Sequence, residues 1–147
     1  MQVFFHQLFD YDYQLNKRLM DALAHTQEVP QKALDLFSHI LNAHHIWNKR
    51  LAGKTPELGV FQTHEPKAWE AIHEDNQRTT FGLIRNADGF EGSITYTNSK
   101  GDVYTNVVRD VLFHIVNHGT HHRGQINSIL REAGLEPIPL DYIFYKR

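Results

Sequence analysis

The sequence predicts an all-α protein, a four-helix bundle with a small β-hairpin between the third and fourth helices. Four long segments repeat apolar residues at helical spacing, and one short stretch between them favours β-structure. A length of 147 residues suits one core rather than two. A single domain over residues 1–147 is the resulting expectation.

The first helix is expected from about residue 2 to 25, where Phe4, Phe5, Leu8, Tyr11, Leu15, Leu19 and Leu23 recur at helical intervals. Gln27 to Pro30 ends it. Pro30 suits the first turn of a second helix, where the amide it lacks would have no helical partner. Leu34, Phe37, Ile40, Leu41, Trp47 and Leu51 form the apolar positions of that helix, and Gly53 is its stop. From Gly53 to Pro66 two prolines, two glycines and the loss of period predict a long loop. Pro66 opens a third helix, supported by Ala68, Trp69, Ile72 and Phe81, to about Arg85. "EGSITYT" and "DVYTNV", separated by "NSKG", form the expected hairpin. A fourth helix runs from about Asn106 to Ala133, with Gly134 placed as a capping glycine. The tail "LEPIPLDYIFYKR" holds two prolines and is expected to pack as an extended strap.

Composition narrows the function classes. An apolar content of 41% and a charged content of 22% describe an ordinary soluble globular chain rather than a disordered or membrane protein. A formal net charge of −2 leaves no large basic field for phosphate backbones, so no nucleic-acid partner is expected. Asp10 and Asp12 interrupt the aromatic N-terminus, which breaks the apolar run that a signal peptide or a membrane span needs. The chain is therefore read as cytoplasmic, with no membrane partner. Cysteine is absent, so a transition metal can be held only by His, Asp or Glu.

The stretch "FHIVNHGTHHRGQI" concentrates imidazoles on the fourth helix. On a helical wheel centred on Ile115, His122 falls about 20° and His118 about 60° from the apolar centre, whereas His114 and His121 fall at about 100° and 120°. His118 and His122 stand one turn apart on one face, so both rings can approach a single ion. Buried imidazoles need partners for their nitrogens, and a divalent ion with outer hydrogen-bond acceptors supplies them. The competing reading is a set of hydrogen-bonded core histidines with no ion. Neither "HIVNH" nor "HGTHH" has a Glu after its first His, so the helix lacks the general base of zincin peptidases.

A third ligand must come from elsewhere, and the second helix offers His39, His44 and His45 within "SHILNAHHIWNKRL". Its mean apolar direction lies about 20° from His44 and about 120° from His39 and His45, so periodicity alone prefers His44. Leu36, Ala43, Ile46 and Trp47 define a second flank about 45° from His39, so a helix buried on two sides would also admit His39.

"HILNAHHIWNKRL", the downstream "HIVNHGTHHRGQI" and the final "DYIFY" together closely resemble the DinB/YfiT-like family of metalloenzymes, over almost the whole chain. The resemblance implies an up-down-down-up bundle, a homodimer, and a divalent metal held by three histidines. Carried onto this chain, it implies His39, His118 and His122 as the ligands, with His44 as the fallback for His39. His121 and Arg123 match the family string "HHRGQ" without an implied ligand role. The family shares its name with a DNA polymerase, yet this chain carries no nucleotide-binding or polymerase signature.

Relatives with defined chemistry include thiol-dependent transferases and a mycothiol-dependent isomerase. The expectation is a metal-dependent enzyme of thiol-transferase or hydrolase type acting on a small-molecule substrate, its reaction unassigned. Its cofactors would be a divalent ion, zinc or nickel first with iron or manganese compatible, and a low-molecular-weight thiol. The alternative is a non-catalytic, metal-binding homodimeric bundle with a structural or stress-related role.

Overall fold

The computed structural model describes residues 1–147 and is mostly helical. In chain order the elements are α1 (Gln2–His25), α2 (Gln31–Leu51), α3 (Pro66–Asn86), β1 (Ser93–Thr97), β2 (Val103–Val107), α4 (Val108–Glu132) and α5 (Tyr142–Tyr145). The tail differs from the expected strap, since its aromatic end closes into the short α5 turn and Tyr145 donates to Asp10 Oδ2 at 2.7 Å. No helix is long and apolar enough to cross a membrane.

Local chemistry explains the element ends. Pro66 occupies the first turn of α3, whereas Pro30 sits one residue outside α2 as its N-cap. Gly134 takes φ +75° after α4, which lets the Leu135 amide bond Leu130 O at 2.9 Å and the Gly134 amide bond Arg131 O at 3.0 Å. Gly53 at φ +65° closes α2 in the same way, with Lys54 N on Lys49 O at 2.8 Å and Gly53 N on Arg50 O at 3.1 Å. Both are left-handed caps that a side chain would strain. The strands pair antiparallel, Ser93 opposite Val107 and Thr97 opposite Val103, leaving Asn98 to Asp102 as the turn.

α1 and α2 each pack against both α3 and α4, so α2 is covered on two flanks. Two apolar clusters form the core. One joins Leu19 and Leu23 of α1 to Phe37 and Leu41 of α2, Trp69 of α3 and Ile126 and Leu130 of α4. The other joins Phe5, Phe9 and Leu15 of α1 to Ile84, Phe90 and Leu112, Ile115 and Val116 of α4. Phe4, expected on the apolar face of α1, is 53% exposed because no neighbouring element covers it.

The long loop after α2 is fixed to that helix by side chains. Asn42 Nδ2 donates to Gln62 O at 2.7 Å, the His64 amide donates to Ser38 Oγ at 3.1 Å, and His64 Nε2 meets Asn42 Oδ1 at 2.6 Å. These bonds lay the loop over the seam where α2 meets α4.

Candidate metal centre

Three histidines meet at that seam. His39 projects from α2, while His118 and His122 project from successive turns of α4, and one nitrogen from each lies within 4.8 Å of the others. His118 Nε2 is 3.1 Å from His39 Nε2 and 3.1 Å from His122 Nε2. All three rings are partly buried.

The outer nitrogens fix the direction of the inner ones. His39 Nδ1 lies 2.9 Å from Val60 O, and His122 Nδ1 lies 2.6 Å from Gln125 Oε1. Both oxygens only accept, so in the neutral rings each Nδ1 carries the hydrogen and each Nε2 presents a lone pair to the cluster. The Nε2 of His118 can donate to one of these lone pairs and not to both. Protonation is no remedy: burial, followed by the neighbouring His122 and His39, pushes His118 down to about 3. Burial also lowers His122, partly offset by its bond to Gln125.

A cation satisfies every lone pair at once. Zinc bonds of about 2.0–2.1 Å in tetrahedral geometry separate neighbouring ligand atoms by about 3.3–3.4 Å, close to the observed 3.1 Å pairs. The donor set therefore fits a divalent ion of borderline softness, and three protein ligands leave coordination positions open. Phe61 stacks on His39 at 5.1 Å and 17° while 82% exposed, so it forms an apolar wall beside that centre.

The remaining histidines serve elsewhere. His44, the alternative third ligand, faces α3, where Nε2 bonds Thr80 Oγ1 at 2.7 Å and burial holds its pKa down at about 4. It is a hydrogen-bonded core residue. His45 accepts from the Glu57 amide at 3.2 Å, and His121 and His114 are exposed, in keeping with their outward position on the wheel.

The sequence reading missed the partners of the ring nitrogens. Gln125 was accessible to it, lying three residues after His122 on one helical face, whereas the Val60 carbonyl is a backbone group with no side-chain signature. Arg123, also missed as a core residue, is 1% exposed and pairs with Asp12 beneath the histidines.

Comparison with known proteins places the whole chain in one family. Protein DinB of Bacillus subtilis (strain 168) is 24% identical to this chain, in an alignment covering 99% of the chain and 95% of that protein. The family model described as DinB family matches residues 1–147. With a matching model spanning its full length and a three-histidine cluster that could bind a metal, the chain belongs to the DinB family.

Proposed function

We propose that His39, His118 and His122 hold one divalent ion with open positions, and that the protein is a metal-dependent enzyme of thiol-transferase or hydrolase type acting on a small molecule. The carrying observation is the convergence of three Nε2 atoms whose lone pairs no protein hydrogen can satisfy together. Zinc and nickel suit imidazole donors best, with iron and manganese compatible. When bound, the ion would supply a Lewis-acidic centre able to lower the pKa of a water or a small thiol.

The chain's own residues prepare that centre. Val60 O and Gln125 Oε1 hold two rings in the tautomer that aims Nε2 inward, and Phe61 stacks on the His39 ring. Neutral imidazoles leave the ionic charge uncompensated, which favours anionic guests. The reading includes an up-down-down-up order of the four helices. It is supported by the core cluster that gathers the C-terminal parts of α1 and α4 with the N-terminal parts of α2 and α3.

A second reading, a non-catalytic metal-binding homodimer, draws on one observation: no carboxylate hydrogen-bonds any of the three histidines. Screening thiols with electrophilic substrates, using untagged protein and a His39/His118/His122 triple-alanine variant, separates the two. Turnover lost in a folded triple variant supports the enzyme. Turnover that survives there contradicts it, and an ion whose loss unfolds a chain that turns nothing over supports the second reading.

A further inference from the structure

A cleft of about 640 Å³ lies between the C-terminal end of α2, the loop that follows it and the hairpin. Arg50 and Lys54 line it, together with Thr55, Tyr96 and Thr97, and no carboxylate does. Neither cation has a salt-bridge partner, although the adjacent Lys49 pairs with Glu57. Arg50 is partly buried and sits in the corner of a T-shaped aromatic pair, its Cζ 4.6 Å from the Trp47 ring and 4.6 Å from the Tyr96 ring. The rings hold the guanidinium by its carbon and leave its N–H groups without any protein side-chain acceptor. A fixed, unpaired fork in a cavity without carboxylates is built for a planar oxyanion.

The same rings lead to the three histidines. Tyr96 meets Trp47 at 5.0 Å, Trp47 meets His114 at 5.2 Å, and His114 meets His118 at 5.6 Å. Arg50 and His39 are separated on α2 by three helical turns, about 16 Å of rise, so a ligand engaging both is elongated.

We propose that this cleft is a carboxylate-binding subsite, in which Arg50 anchors the far end of an elongated, carboxylate-bearing substrate along the Tyr96–Trp47–His114 track. The reach toward the histidines rests on the function proposed above; anion capture by Arg50 does not. Arg50 is a binding and positioning residue.

The test is calorimetric titration of the metal-free full chain with succinate at low salt, with its neutral diamide and inorganic phosphate as comparison probes. Succinate is expected to bind saturably, the diamide not at all, and phosphate more weakly than succinate. Arg50→Gln is expected to weaken succinate binding by about tenfold or more, because it removes a charge-assisted fork, and Lys54→Gln by less. His118→Ala is expected to leave succinate affinity within about twofold while removing the ion site. Succinate affinity unchanged in a folded Arg50→Gln variant, or phosphate binding as tightly as succinate, overturns the proposal. No saturable succinate binding by the wild-type chain, with its ion binding intact, sinks this inference alone. The reverse result sinks only the metal reading.

Discussion

Arg123 and Asp12 form an ion pair sealed between α4 and α1, with Nη1 to Oδ1 at 2.5 Å and side chains 1% and 3% exposed. Nη1 also donates to Asn16 Oδ1 at 2.7 Å, and Nη2 donates to Thr120 Oγ1 at 3.0 Å. Because Arg123 directly follows His122, the pair also anchors the turn that carries two of the three site histidines. Removing Asp12 would strand a buried guanidinium whose Nε already lacks a partner. Asp12→Ala is therefore expected to cost about 3–5 kcal/mol in urea unfolding, whereas Asp12→Leu with Arg123→Met recovers most of that. A loss below about 1 kcal/mol in Asp12→Ala would refute the account of this pair.

Two glycines of α4 should respond to alanine with opposite signs. A Cβ on Gly119 would stand 2.8 Å from Asp12 Oδ1 and 3.0 Å from Arg123 Nη1, both locked in the buried pair, whereas a Cβ on Gly124 meets nothing. Alanine gains about 1 kcal/mol of helix propensity at either place. At Gly119 the overpacking, about 1–3 kcal/mol, outweighs that gain. Thermal melts should show Gly119→Ala less stable than wild type and Gly124→Ala more stable; equal shifts would contradict the contact.

His44 makes stability depend on acid pH. Burial lowers its folded pKa from 6.5 to about 4, so as pH falls the unfolded chain takes up a proton first. The stability it contributes is full above about pH 6.5 and lost progressively down to about pH 4, amounting to about 3 kcal/mol. Urea unfolding of the metal-free protein across this range checks it. His44→Gln should flatten the decline, and a slope as steep as wild type would count against the assignment.

The bond from Gln125 to His122 Nδ1 has a separate readout. Gln125→Leu keeps the helix and the three Nε2 donors but frees His122 to rotate or change tautomer. Metal affinity, measured by chelator competition, is expected to fall by about 10-fold or more with little change in melting temperature. Unchanged affinity would show that Gln125 does not orient the ring.

The helices, the hairpin and the His118–His122 pair were legible because each depends on local period or spacing. The choice between His39 and His44 was not, since a mean apolar direction describes one buried flank and α2 has two: His44 meets Thr80 of α3, and His39 faces α4. The burial of Arg123 was not legible, because its partner Asp12 lies on another helix, 111 residues away in the chain. The seat of Arg50 against Trp47 and Tyr96 likewise exists only once the hairpin folds onto α2.

The most direct test of the three-histidine centre is an anomalous difference map from crystals of protein purified without a histidine tag or nickel column and loaded with zinc. The account predicts one strong peak about 2.0–2.1 Å from the Nε2 atoms of His39, His118 and His122, with His44 still on Thr80. A map with no peak there, or with the metal bound by His44, would contradict it.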